Sequence, residues 1–425
     1  MPEPLLTPKE GVPSLITDEA GFLSALSELQ KGSGPLAVDA ERASGYRYSQ
    51  RAYLIQIFRR GGGLHLIDPI SVNDPSLWMQ MNAAFSECEW IIHASTQDLP
   101  CLRELGIYPR FLFDTELGGR IAGCERVGLG PLCEALLDLQ LAKEHSAVDW
   151  SIRPLHPDWL NYAALDVDVL IDLRDAVENL LAERGKLEWA REDFAQILLN
   201  PPPPPRVDAW RRTSGLHKVR DRMTLAIIKA LWEVRDQFAR LVDIAPGRIF
   251  NDDALVELAI KRPTSIDEFT KIIKRKSRAT NIPTTEWFVL LNQTLQLAET
   301  DLPVLRTPNV GLPPVKLWRE RNYLAHARLS HVRAAVIERA HQLQLPVENL
   351  VSPEVIRQLV WKDPPQSELE KYVKEMLAIH GARPWQIENI STVLLEPMLA
   401  REPLIVASPD LPDESTGELT DSPTP

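Results

Sequence analysis

The period of apolar and polar positions changes along the chain, and the changes mark out its elements. Residues 36 to 69 read as a three-stranded meander. LAVDAER is an apolar strand that ends in charge, AYLIQIFR alternates and is rich in β formers, and LHLIDP closes the third strand after the turn at Gly61, Gly62 and Gly63. A helical stretch follows near Pro75 to Phe85, then the short apolar strand WIIHA, then a helix in QDLPCLRELG that ends at Gly106. FLFDTELGGRIAG reads as a strand running into a helix, and Gly128-Leu129-Gly130 as a turn that starts a helix. From His156 to Arg184 one long amphipathic helix is expected, with Tyr162, Asp166 and Val169 near one face. Strands alternating with helices after an antiparallel hairpin specify an α/β domain with a mixed sheet.

Pro201 to Pro205 are consecutive prolines, which form a stiff extended spacer. The α/β domain is therefore placed at 1–200 and a linker at 201–209. A helical domain at 210–299, without strands, follows; a second linker spans 300–314. An internal repeat appears at an offset of about 101 residues, where ARLVDIAPGRIFNDDALVELAIKRP resembles HQLQLPVENLVSPEVIRQLVWKDPP. Each copy has a helix end, a turn with proline, a capping residue (Asn251 or Ser352) and another helix. The second helical domain is placed at 315–402. The tail, 403–425, is acidic, rich in Pro, Ser and Thr and free of aromatics, which specifies disorder.

Composition narrows the class. A chain of 425 residues calls for two or three domains with real cores. The net charge of −12 argues against a uniformly basic nucleic-acid coat but leaves local patches open. Cys88, Cys101, Cys124 and Cys133 have no zinc-ligand spacing and read as buried, reduced thiols. The start, MPEPLLTPKEG, does not resemble a signal peptide, and no apolar run approaches the ~20 residues of a membrane span. A soluble, reducing, cytoplasmic setting is the expectation.

Carboxylates carry the chemistry. Asp39 and Glu41 are i and i+2 on a strand, so they share a face. Tyr162 and Asp166 are i and i+4 on a helix and share a face too. Asp98 starts a helix just past a strand, where functional groups gather. Converging carboxylates raise one another's pKa unless cations offset the repulsion, and oxygen-only donors suit Mg²⁺. Two such cations are a standard means of cleaving a phosphodiester with water. Asp168 falls off that helix face and reads as solvated or capping, Asp114 as the anchor of a strand-to-helix turn, and Trp150 as core.

In order, VDAE, HASTQDLPCL and YAALDVDVL resemble the motifs of the DEDD superfamily of 3′–5′ exonucleases, in its tyrosine branch, and within it the ribonuclease D family. FDTELGGRIAG and LAKEHSAVDWSIRPL match further stretches, and the segment from AWRRTSGL resembles the HRDC module of that family; together the resemblance spans roughly residues 15 to 400. It implies an RNase H-like α/β exonuclease domain followed by two all-α HRDC-like domains. It implies two Mg²⁺ or Mn²⁺ ions held by Asp39, Glu41, Asp98 and Asp166, with Tyr162 orienting the attacking water. The implied activity is removal of nucleoside 5′-monophosphates from RNA 3′ ends, with tRNA precursors as partners and a monomeric, membrane-free protein. Ala40 stands where threonine is frequent and should face away from the metals. A DNA-directed 3′–5′ exonuclease and a non-catalytic nucleic-acid-binding scaffold are the alternatives. Candidate RNA contacts are Lys143 and Arg153 before the third motif, with an ordinary salt bridge as the alternative, and Lys271, Lys274, Arg275 and Lys276 in the first helical module, with a solvated helix face as the alternative. Arg206, Arg211, Arg212, Lys218, Arg220 and Arg222 form another basic cluster, which serves RNA capture or simply a solvated face.

Overall fold

A computed structural model describes residues 2–142, 148–202, 204, 206–275, 277–278, 281–306 and 311–404. Its strands are β1 (Glu3–Leu5), β2 (Leu15–Ile16), β3 (Leu36–Arg42), β4 (Ala52–Arg59), β5 (Gly63–Ile67), β6 (Glu89–Ile92), β7 (Phe111–Asp114) and β8 (Leu139–Leu141). Six of them form a sheet in the order β2-β5-β4-β3-β6-β7. The expected meander β3-β4-β5 is antiparallel, and β2, β6 and β7 join it in parallel, so the sheet is mixed. β1 pairs with β8 away from this sheet. At the β4–β5 turn a Cβ on Gly62 would lie 2.9 Å from the backbone of Leu29, so only glycine lets the turn seat against the helix Glu19–Lys31.

The single long helix expected from His156 to Arg184 is instead two, Pro157–Asp168 and Leu170–Glu183, which meet at Val169. They follow different surfaces. The first packs on β3, β4 and β5; the second turns onto β6 and the helix Thr115–Ala122. Asp168, expected at a solvated or capping position, is buried and accepts the backbone N–H of Lys9 at 3.1 Å. The N-terminal segment thus straps the helix that carries Tyr162 and Asp166; the Asn161 side chain donates to the Leu6 carbonyl at 2.8 Å.

The two resembling segments carry helices in the same order. Helices Arg222–Val242, Pro246–Ile249, Asp252–Lys261, Ile266–Arg275 and Thr284–Thr294 have counterparts in Tyr323–Gln342, Val347–Leu350, Pro353–Trp361, Leu369–Ile379 and Pro384–Ile390. The expected caps also correspond: the Asn251 side chain accepts from Ala254 N–H, and that of Ser352 from Val355 N–H.

The two copies are used differently. The first closes a core of its own around Ile228, Leu231, Phe250, Leu255 and Trp287. The second shares one continuous core with the α/β unit. Trp385 stacks on Trp189 with ring centroids 4.9 Å apart, and its indole N–H donates to Asp193 at 3.2 Å. Arg383 pairs with the same carboxylate. Lys186 donates its ammonium to the carbonyls of Ile121 at 2.9 Å and Gln344 at 3.1 Å, which closes the joint. Burial pushes Asp193 up to about 6 and Lys186 down to about 8.

The first module docks on the loop between β3 and β4. Ala245 N–H donates to the Tyr46 carbonyl at 3.0 Å, and Arg248 donates to the Gly45 carbonyl at 2.7 Å while lying over the Tyr46 ring. The Tyr48 hydroxyl donates to Asp236 at 3.1 Å. Asp243 accepts from the N–H and hydroxyl of Ser49 and the hydroxyl of Tyr53. No described helix is long and apolar enough to cross a membrane. All four cysteines are free. Pro203, Pro205, most of the acidic tail and part of the second linker lie outside the described residues.

Candidate active site

β3 places the first two carboxylates. Leu36, Ala37 and Val38 are fully buried and fix the strand in the middle of the sheet, and alternation then turns Asp39 and Glu41 to one face while Ala40 is buried. The helix Pro157–Asp168 packs across that region and brings Asp166 down onto them. One ligand atom each from Asp39, Glu41 and Asp166 lies within 4.8 Å of the others. Asp98, at the N-cap of the helix Leu99–Glu104, adds a fourth carboxyl in hydrogen-bonding contact with Asp39. The Tyr162 hydroxyl hydrogen-bonds to Asp166, one helical turn along.

The cluster is electrostatically unsatisfied. Burial pushes the carboxyl pKa of Asp39 up and those of Glu41, Asp98 and Asp166 well up. The neighbouring carboxylates raise Glu41, Asp98 and Asp166 further. Arg42 opposes this at Asp39, Glu41 and Asp98. Gln56, directly across from Asp39 on β4, offers its amide only at 3.4 Å to Asp39 and 3.5 Å to Glu41. Its own buried carbonyl oxygen has no hydrogen-bond partner among the described residues. The Tyr162 phenol is pushed far up by burial and by Asp166, Glu41 and Asp39, so it keeps its proton.

These residues fit hard divalent cations. The donors are all carboxylate oxygens that repel one another, and a pair of such cations would offset that repulsion. The nearby thiols do not compete. Cys101 and Cys133 are buried and pushed up to about 12, so they stay protonated and make poor soft ligands.

Other candidates part company with the cluster. Arg153 forms a two-pronged pair with Asp68 at 2.8 and 2.9 Å and gives its remaining donors to the carbonyls of Trp150, Ile152 and Tyr53. With every guanidinium donor taken it anchors the chain before the third motif, the salt-bridge alternative for this residue. Lys143 and Lys276 lie outside the described residues. Lys271 and Lys274 are exposed and border an open hollow with Asp267 and Thr270; Arg275 beside them is paired with Glu257. In the cluster after the prolines, Arg211 and Arg222 are spent on the segment 299–304, through Val304, Glu299, Pro303 and Leu302. Asp114 is the expected anchor, accepting from Ala94, Ser95 and Leu117, and Trp150 is fully buried. Sequence reasoning missed Gln56 and Arg42. The first was signalled by a glutamine inside an apolar alternating strand; the second depends on an irregularity that spacing does not show.

Fold and site define a carboxylate-based nuclease domain of RNase H-like type with appended helical modules. A family model for a 3′–5′ exonuclease matches residues 13–182, one for the HRDC domain matches 224–283, and one for a 3′ to 5′ exonuclease C-terminal domain matches 311–398. Ribonuclease D of Acidiphilium cryptum is 30% identical over 264 residues, covering 60% of this chain and 66% of that protein. Ribonuclease D of Bartonella henselae is 29% identical over 256 residues, covering 59% and 61%. The aligned stretch thus spans less than two thirds of the length of these relatives. A crystallised protein from Bifidobacterium adolescentis superposes with a TM-score of 0.83 at 35% identity, covering 94% of this chain and all of that one. Escherichia coli RNase D shares the fold, with a TM-score of 0.63 at 22% identity over 91% of this chain and 98% of its own. Residues 13–182 thus match the 3′–5′ exonuclease family, and the chain is similar to ribonuclease D proteins over about 60% of its length.

Proposed function

We propose that this protein is a metal-dependent 3′–5′ exoribonuclease that releases nucleoside 5′-monophosphates from RNA 3′ ends. The observation that carries the reading is the convergence of Asp39, Glu41 and Asp166 within 4.8 Å, with Asp98 against Asp39. Asp39, Glu41, Asp98 and Asp166 would hold two Mg²⁺ or Mn²⁺ ions. Bound there, the cations would supply positive charge to the phosphate and lower the pKa of the attacking water. Tyr162 orients that water. Its proton is held too tightly for it to act as the base, and its hydroxyl is fixed by Asp166. The buried floor of the cluster keeps bulk solvent from the carboxylates, which strengthens their attraction for a bound cation.

RNA with a free 3′ end, in particular tRNA precursors, is the substrate this reading assigns, in the cytoplasm and with the protein acting as a monomer. The exposed lysines of the helix Ile266–Arg275, Lys271 and Lys274, would hold the RNA body through its phosphates. The test is incubation of a 5′-end-labelled tRNA-like precursor with Mg²⁺ or Mn²⁺. A ladder that shortens from the 3′ end, lost with chelator, is expected; fragments cut internally, or an intact precursor at every metal concentration, sink the reading. A DNA strand of the same unstructured sequence, run beside it, reports the sugar preference.

A further inference from the structure

Arg42 follows Glu41 directly on β3, and in a regular strand its side chain would face away from the carboxylates. It does not, because the register against β4 slips between Glu41 and Arg42: Glu41 lies opposite Leu54 while Arg42 lies opposite Ala52. Such a bulge re-aims a side chain, and here it turns Arg42 to the same side as Glu41. The guanidinium Nε sits 3.6 Å from Asp98, and one terminal nitrogen reaches Gln97 only at 3.4 Å. Nε is buried and has no hydrogen-bond partner among the described residues, while the side chain as a whole is 24% exposed.

Arg42 is held among carboxylates without closing a short pair with any of them. Other arginines of the same domain close short pairs with carboxylates. Arg153 grips Asp68 with two short bonds, and Arg174 is shared between Glu89 and Glu178. Arg47 and Arg248, at the adjoining loop, each donate at 2.7 Å. Arg42 touches the acidic cluster without a short bond to any member of it. An arginine whose role was to neutralise Asp98 would close a two-pronged pair, because that geometry is the strong one. A fork left open beside a hydrolytic centre matches a phosphodiester oxygen instead.

We propose that Arg42 is a phosphate-contacting residue of this site: its guanidinium engages a non-bridging oxygen of the substrate phosphodiester, and its charge, by repulsion, limits how tightly the carboxylates take divalent cations. This rests on reading the cluster as the hydrolytic centre. The two halves have opposite signs. Removing the charge should strengthen cation uptake and weaken phosphate binding together, which a merely structural arginine would not do.

The experiment uses the full chain with two variants, Arg42→Ala and Arg42→Lys, and two calorimetric titrations: Mn²⁺ alone, and adenosine 5′-monophosphate at saturating Mg²⁺. For Arg42→Ala, Mn²⁺ binding is expected to tighten about threefold or more and the nucleotide to bind about tenfold or more weakly. For Arg42→Lys, which keeps the charge but not the fork, Mn²⁺ affinity should stay near that of the parent while the nucleotide still binds more weakly. Nucleotide affinity in Arg42→Ala within about twofold of the parent overturns the phosphate contact, and Mn²⁺ binding that is unchanged or weaker overturns the repulsion. Unfolding midpoints of both variants show whether the fold is kept, and Arg42→Lys carries the test if Arg42→Ala does not fold. If the parent protein takes up no Mn²⁺, the hydrolytic reading fails; if it does and both variants titrate like it, the role of Arg42 alone fails.

Discussion

Asp243, in left-handed conformation at the end of the helix Arg222–Val242, accepts the backbone N–H of Ser49 at 2.8 Å. Ser49 belongs to the loop that leaves β3 a few residues after Glu41. One carboxylate of the first helical module is therefore tied to the hairpin that carries half of the acidic cluster. The Ser49 and Tyr53 hydroxyls and Arg51 converge on it, and these contacts hold its pKa below the usual carboxylate range.

Asp243→Ala should loosen that docking. Hydrogen bonds to a charged group contribute about 1.5–3 kcal/mol each at most, and the partial exposure of this site places the loss near the lower end. Denaturant unfolding, with limited proteolysis of the 201–209 linker, measures it. An unchanged midpoint and unchanged cleavage would show that the module is held by other contacts.

Asp39→Asn and Asp166→Asn should each reduce 3′ shortening by about 10³-fold or more, as befits the loss of a metal ligand. The same changes should raise the thermal stability of the protein in chelator, because each removes a buried charge from a repelling cluster. An active variant, or one that melts earlier than the parent in chelator, contradicts the assignment.

Stability without metal should fall as pH rises. The cluster carboxyls have folded-state pKa values raised above the unfolded values of about 3.9 for Asp and 4.3 for Glu. A raised acid contributes stability that is fully present below its unfolded pKa and is lost as pH climbs through its folded one. Melting scans in chelator should therefore decline from pH 5 toward pH 8, and Mg²⁺ should add more stability at the upper end. Cation binding should also release protons, seen as a heat that depends on the buffer's ionisation enthalpy. Equal Mg²⁺ stabilisation at both pH values would argue against ligation by these groups.

Tyr162→Phe should keep the fold and the cation affinity and lose roughly 10²-fold in turnover, since only the hydroxyl that orients water is removed. Single-turnover cleavage beside a Mn²⁺ titration separates the two. A matching loss of Mn²⁺ affinity would place Tyr162 in the ligand set.

Trp385→Ala should cost about 3–5 kcal/mol, because the ring is fully buried against Trp189 in a core common to the α/β unit and the second module. Calorimetry should show these two parts melting together in both parent and variant. Separate melting of the second module from the parent would deny the shared core.

Much of this was open to a reader of the sequence. The meander, the helix after FLFD, the caps at Asn251 and Ser352 and the repeated helices depend on local periodicity and capping chemistry, and short windows of residues carry those. Asp39 with Glu41, and Tyr162 with Asp166, are paired by the strand and helix periods themselves. Arg153 was ambiguous, because nothing in its neighbourhood names its partner: Asp68 is far away in the chain. The break at Val169 was hidden because both halves keep one helical pattern while packing on different surfaces.

Local spacing determined which residues share a face, where helices begin, and that the helical unit occurs twice. Tertiary structure alone decided that Asp98 leans on Asp39, that Arg42 turns inward at a slipped register, and that one helical copy merges with the α/β core while the other grips a loop. The reason is the range of the forces: a backbone period acts over a few residues, whereas burial and electrostatics act between whatever surfaces the folded chain brings into contact.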